Sequence, residues 1–287
     1  MFEGEYTTIG QKWHLHPGVV KKSLNSHLGV SGYQSVKVCS HVVFVGAVMP
    51  GVYDEVVHAY QTLLPPPDGR SSSQDKEEDS NKTDWKPLRM ADVFTQIISR
   101  ASNRMMGGPA LSRNHEWTAT SINFTTDTWL AAQRLKRFPF FLRPIVQYFI
   151  PEMARIRAHA AIAQRVISPI VNARRSNEDQ PLDLLQMLWD GAEPADKTPD
   201  FMAYTALAVS FAAIRTSSSV PTHLLFDLCA HPEYVEPLRR EIEDVLHQEG
   251  EIFTKKALNK LVKLDSFMKE SQRFNPLALR TSLPPNK

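Results

Sequence analysis

Cysteine is scarce in this chain: Cys39 and Cys229 are the only two among 287 residues. So few exclude a disulfide framework, and neither has zinc-ligand spacing around it. Both are expected to be free thiols in a reducing compartment. An excess of charge of one sign is missing too. Lys and Arg number 33 against 31 Asp and Glu, a net charge of +2, which gives no electrostatic ground for a nucleic-acid partner. Long apolar runs are also absent. The longest, Phe201 to Ile214, falls short of the roughly 20 residues that span a bilayer and is expected to be a buried helix. Residues 1–20 carry charges, histidines, a tryptophan and a proline, so they read as neither signal peptide nor anchor. The chain has no phosphate-cradling Gly-x-x-x-x-Gly-Lys loop, no Gly-x-Ser-x-Gly elbow and no His-x-x-x-His helix pair. Its ten histidines are dispersed, His14 and His16 being close together, and no metal site is expected.

An apolar share of 42% and a charged share of 22% suit a globular protein large enough to bury a substantial core. Helical patterns dominate. They are expected over 52–64, 84–102, 114–136, 151–175 and 181–190. A long helix should start at Thr198-Pro199-Asp200 and run towards Ala230. Pro169 and Pro221 are expected to bend their helices. Further helices should begin at His231-Pro232, after Thr254, and over 264–274. Residues 30–51 differ. Val30, Val36, Val38, Val42, Val43, Phe44, Val45 and Val48 favour strand over helix, so the patch reads as an anomalous, irregular or strand-like insertion. Residues 68–84 are almost wholly polar and read as a solvated loop.

A bare Glu-x-x-Arg carries little information. It occurs at Glu152/Arg155, Glu236/Arg239 and Glu270/Arg273, and each can be an ordinary salt bridge along one helix face. The third has informative surroundings. Upstream lies Phe211-Ala212-Ala213-Ile214-Arg215-Thr216-Ser217 in the long apolar helix. Then come His231-Pro232-Glu233, Leu264-Asp265-Ser266-Phe267-Met268, and finally Asn275-Pro276 after the pair. In this order and spacing the blocks resemble the cytochrome P450 family, the haem-thiolate monooxygenases, most of all filamentous-fungal members of secondary metabolism. The resemblance covers residues 1–29 and 51–279.

The resemblance implies a mainly α, incomplete P450-like helical fold over 1–279, with a divergent tail at 280–287. It implies haem as cofactor, an apolar substrate of terpenoid type, NADPH-cytochrome P450 reductase as electron donor, and anchoring of family members at the endoplasmic reticulum. Ala212 and Ala213 would keep the helix small where it passes over haem, and Thr216 would assist proton delivery to oxygen. Arg215 replaces the family's acid, which puts acid-assisted delivery in doubt. Glu270 and Arg273 would be structural, bonding a third residue from a later loop, and in this chain they are expected to be exposed or unsatisfied. The family's Phe-x-x-Gly-x-x-x-Cys-x-Gly loop, whose thiolate ligates iron, does not occur in the sequence. The expectation is therefore a chain that does not retain haem and does not oxidise. The alternatives are a non-enzymatic helical binding or interaction module derived from such an enzyme, or a gene-model artefact that does not fold. The basic-aromatic segment Arg134 to Arg143 suits a membrane surface. Its plainer reading is a helix-to-helix turn with the aromatics in the core.

Overall fold

The computed structural model describes residues 37–65, 87–175, 181–192, 194–250 and 253–276, with the backbone alone over 37–47. The expected loop at 68–84, the segment 1–29 and the tail at 280–287 lie outside these residues. The described residues form eleven α-helices and no strand. In chain order they are α1 (Lys37–Leu63), α2 (Met90–Gly107), α3 (Pro109–Ser112), α4 (His115–Lys136), α5 (Arg143–Val146), α6 (Pro151–Arg175), α7 (Leu184–Gly191), α8 (Pro199–Ala230), α9 (Val235–Glu249), α10 (Lys255–Leu258) and α11 (Val262–Phe274).

The strand-like expectation for 30–51 is corrected over its described part, where 37–51 is the first half of α1. Valine costs a helix only a few tenths of a kcal/mol per residue. Extending an existing helix adds a hydrogen bond for each residue fixed, whereas a lone strand has no partner edge to pair with. The second half of α1 packs Ala59 against Val93 and Ile97 of α2, with Val56 and Leu63 beside them. Tyr60, expected on that face, is exposed instead.

Starts and stops follow local chemistry. Asn114 caps α4 by accepting from the Trp117 amide at 2.9 Å, and Asp183 caps α7 through the Gln186 amide at 2.9 Å. Thr198 caps α8 through the Phe201 amide at 3.2 Å, with Pro199 in the first turn. These side chains satisfy amides that have no intrahelical acceptor. Gly250 closes α9 at φ +81°, where a side chain would be strained. At Gly107 a Cβ would lie 2.3 Å from Leu111 Cδ1, so a larger residue would displace that buried side chain, and the turn into α3 follows at Gly108, whose φ is +68°.

Pro169 and Pro221 sit within continuous helices. Each removes one amide donor, and the carbonyls left without it belong to exposed Arg165 and Ser217, where water can bond them.

The main core joins α2, α4, α6, α7 and α8. Trp117, Phe124 and Leu135 of α4 meet Ile156 and Ile167 of α6, Leu185 and Leu188 of α7, and Phe201, Met202 and Leu207 of α8. Trp117 is wholly buried and its indole N–H donates to Asn103 Oδ1 of α2 at 2.9 Å. The apolar run Phe201 to Ile214 is thus a buried helix, as its composition predicts. A smaller cluster of Val245, Ala257 and Leu261 ties α9 to α10 and the entry of α11.

Candidate functional site

The core-forming first half of α8 hands over to an open second half. Met202, Ala206 and Ser210 are buried, whereas Ala212, Arg215, Thr216 and Ser217 are exposed and Ala213 is half-buried. Ala212, Arg215 and Thr216 stand at i, i+3 and i+4, so they share one face. That face is small except for Arg215. The Thr216 hydroxyl donates to the Ala212 carbonyl at 2.7 Å, with Ala213 O at 3.3 Å. Its one proton is therefore used along the helix, and its two lone pairs are acceptors. The Arg215 guanidinium lies 5.2 Å from the centroid of the Trp129 ring on α4, a cation–π approach. A guanidinium carries only donors, so Arg215 offers no acceptor of the kind a carboxyl would.

Glu270 and Arg273 lie on α11 and pair with each other, Nη2 to Oε1 at 2.6 Å and Nε to Oε2 at 2.8 Å. Both are more than half exposed, at 56% and 62%. Hydrogen bonding from Arg273 holds the Glu270 carboxyl below the ordinary glutamate range, against an opposing effect of burial and with the charge of Arg273 adding to it. Arg273 also lies 4.1 Å above the Phe274 ring centroid. Cys229 is exposed in the last turn of α8. It follows Thr216 by 13 positions, roughly 20 Å along a helix axis.

The three Glu-x-x-Arg pairs differ sharply. Glu236/Arg239 is an exposed contact at 3.5 Å, the plain surface bridge that its spacing suggests. Glu152/Arg155 is not: Glu152 is buried at 3% exposure. It accepts from Arg155 at 3.1 Å and from Arg134 of α4 at 3.0 Å. Arg155 also binds Asp127 of α4, whose second oxygen meets His159 Nε2 at 3.0 Å. The sequence pattern does not reveal this network, because its partners come from different helices.

The segment between α4 and α6 overturns another expectation. Phe140, Phe141, Ile145, Tyr148 and Phe149 are 59–80% exposed, so these aromatics are not core. A short turn, Phe140–Leu142, and the four-residue α5 hold them away from the bundle. Among the described residues no cluster of His, Cys, Asp and Glu could hold a metal ion. No helix among them is long and apolar enough to cross a membrane.

Residues 72–284 match the family model described as Cytochrome P450. The chain belongs to the cytochrome P450 family. Cytochrome P450 monooxygenase olcJ of Penicillium canescens is 40% identical over 285 residues, 96% of this chain and 48% of that protein. Cytochrome P450 monooxygenase AN1598 of Emericella nidulans is 41% identical over 72% of this chain and 40% of its own length. Ent-kaurene oxidase P450-4 of Gibberella fujikuroi is 35% identical over 71% of this chain and 40% of its own length. The chain thus spans 40–48% of these P450 relatives. The retinoic acid bound cyanobacterial CYP120A1 has the same fold at TM-score 0.56 and 16% identity, over 80% of this chain and 46% of that one. The mainly α P450 fold, and the fungal secondary-metabolism kinship, therefore stand.

Proposed function

We propose that this chain carries the oxygen-facing helical half of a haem-dependent monooxygenase that hydroxylates an apolar, terpenoid-type secondary metabolite. The observation that carries this reading is the open face of α8, where Ala212 and Ala213 leave room for a flat ligand and Thr216 sits one turn along. Apart from Arg215, the residues present fit haem on that side: Ala212 and Thr216 are small and exposed and Ala213 is half-buried, on a continuous helix backed by a packed core. Haem, when bound, supplies the oxygen activation of the family. Ala212 and Ala213 would border it, and a lone pair of Thr216 would accept a hydrogen bond from water at that face. Glu270 and Arg273 would brace the fold through a third partner. The terpenoid class draws support from the ent-kaurene oxidase relatives, and electrons would come from NADPH-cytochrome P450 reductase. The family domain would occupy residues 1–279.

Cys229 gives no support to thiolate ligation, being exposed and distant from Thr216 along α8, and the sequence around Cys39 lacks the family's glycine framework. On this reading the polypeptide of these residues alone would bind without oxidising. The experiment is an absorption spectrum of the purified 287-residue chain, produced with haem precursor, reduced and exposed to carbon monoxide. No thiolate-type Soret band is expected. Such a band would overturn the assignment of both cysteines.

The exposed aromatics between α4 and α6 favour a second role for the same chain, contact with a membrane surface. Lys136 and Arg137 are exposed beside them, and cationic and aromatic side chains together suit the headgroup region.

A further inference from the structure

We infer that Asp227 and Glu241 are the positioning residues of α11, fixing where its Glu270–Arg273 pair stands relative to the Thr216 helix. The importance of that placement rests on the proposed monooxygenase reading; the placement itself rests on contacts alone.

Helix α11 has little apolar anchorage. Its one buried residue is polar, Ser271, while Val262 and Phe274 at its ends are 64% and 67% exposed. Leu264 leans on the small Val245–Ala257–Leu261 cluster, and Phe267 meets the Tyr234 ring at 5.5 Å. Apolar contact of this kind is non-directional and would allow the helix to slide or roll.

Direction comes from a carboxylate at each end. At the start of α11 the amides of Lys263 and Leu264 donate to Glu241 Oε1 and Oε2 of α9, at 2.8 and 2.9 Å. First-turn amides lack intrahelical acceptors, and a negative charge there suits the helix dipole. At the other end Ser271 Oγ donates to Asp227 Oδ2 of α8 at 2.5 Å, and Asn275 Nδ2 reaches the same oxygen at 3.3 Å. Asn275 is the residue that ends α11. The two grips come from different helices, so they set both the axial position and the roll of α11. With Ser271 turned towards α8, its neighbours Glu270 and Arg273 point outward, as their exposure shows. Asp227 follows Thr216 by 11 positions on the same helix, about 16 Å along it. One rigid element thus carries both the proposed oxygen-side hydroxyl and the anchor of the Glu270–Arg273 helix.

Both donors at the far end use a single oxygen of Asp227. An amide oxygen in that place would serve equally, whereas an apolar group of similar size would not. The test is hydrogen exchange read by mass spectrometry on the 287-residue chain, comparing peptides over 262–274 with peptides over 151–175. Asp227→Leu should speed exchange at 262–274 about tenfold or more, the scale of a lost hydrogen bond to a charged group, and leave 151–175 unchanged. Asp227→Asn should restore near-normal protection. Glu241→Gln, which keeps one acceptor oxygen, should loosen the first turn of α11 alone. Ser271→Ala combined with Asp227→Leu should add little to either change alone. The inference is overturned if Asp227→Leu leaves 262–274 as protected as before, if it loosens 151–175 equally, or if Asp227→Asn is as damaging as Asp227→Leu. These outcomes are independent of haem. A failed carbon monoxide spectrum and a failed exchange test therefore count against different statements.

Discussion

Arg155 on α6 grips Asp127 on α4 with two nitrogens on one carboxylate oxygen, Nε at 3.0 Å and Nη2 at 2.9 Å. His159 takes the other oxygen, and Glu152 receives Arg155 and Arg134 from the opposite side. Two buried carboxylates thus hold the α4–α6 pair in register under the exposed aromatic turn. Removing Asp127 leaves the largely buried His159 without this partner, while half-exposed Arg155 keeps Glu152. Asp127→Ala is expected to lower stability by about 1–3 kcal/mol, read from the urea midpoint of the purified chain. An unchanged midpoint would show that the network is incidental to the fold.

The same residue gives a pH dependence with a definite sign. Burial alone would raise the Asp127 carboxyl, but hydrogen bonds from Arg155 and His159 outweigh it and hold it below the ordinary aspartate range. Glu55 behaves alike: it is buried between α1 and α2, and donors from Arg100, Ser112 and Arg113 outweigh its desolvation. A carboxyl depressed in the folded state binds fewer protons there than when unfolded. Its stabilisation is complete above the unfolded value, about 3.9 for Asp, and is lost as pH falls through the folded value. Urea midpoints of the native chain should fall steeply below about pH 4. Asp127→Asn should flatten that fall in part, leaving the share due to Glu55. An unaltered profile in the variant would show that Asp127 is not among the groups that titrate with unfolding.

Trp117 separates packing from hydrogen bonding within one side chain. It fills the centre of the main core and donates to Asn103 across to α2. Trp117→Ala should cost about 3–5 kcal/mol through the cavity that it leaves. Trp117→Phe keeps much of the volume but leaves Asn103 Oδ1 without that donor, a loss of about 1–3 kcal/mol. Chemical unfolding of the two variants should rank them in that order. Equal losses would mean that the Asn103 bond, not the ring, secures α4 to α2.

The exposed aromatics make a sedimentation experiment decisive for the membrane reading. The chain should sediment with vesicles of phosphatidylcholine and phosphatidylserine, and less with phosphatidylcholine alone. Phe141→Ser with Phe149→Ser should weaken binding at least about tenfold, since each buried phenylalanine is worth about 1.5–3 kcal/mol. No sedimentation by the unaltered chain would remove membrane contact from the proposed function. Binding indifferent to the two substitutions would remove this segment from it.

Much of the fold was legible because helix periodicity and caps are local. Thr198-Pro199, Asn114 and Thr254 announce helix starts, and the structure has them where their chemistry puts them. What failed depended on partners. The valines before Pro50 favour strand in isolation, yet the described ones lie in α1, because propensity is weak beside continuation of an existing helix. Phe140 and Phe141 look like core residues by composition, but a short turn holds them off the bundle. Asp127, Asp227 and Glu241 gave no pattern at all, and the Glu-x-x-Arg spacing of Glu152 pointed only to Arg155. Their distant donors lie 18 to 48 positions away, such as Arg134 for Glu152 and Ser271 for Asp227, and no spacing rule reaches that far. At the candidate site, Ala212, Ala213, Thr216, Glu270 and Arg273 are proposed from the order and spacing of blocks across three helices, since single motifs are uninformative.

Thr216 offers the cleanest separation of fold from function. Its side chain is exposed and its only described bonds run back along its own helix, a pattern that slightly weakens a helix. Alanine is the better helix former by a few tenths of a kcal/mol. Thr216→Ala is therefore expected to leave the thermal midpoint of the chain unchanged or to raise it slightly. On the proposed reading, the hydroxyl at this open face serves the ligand side rather than the helix. A clear drop in the midpoint would reverse the argument, making Thr216 a packing residue and removing the main support for its proposed part in proton delivery.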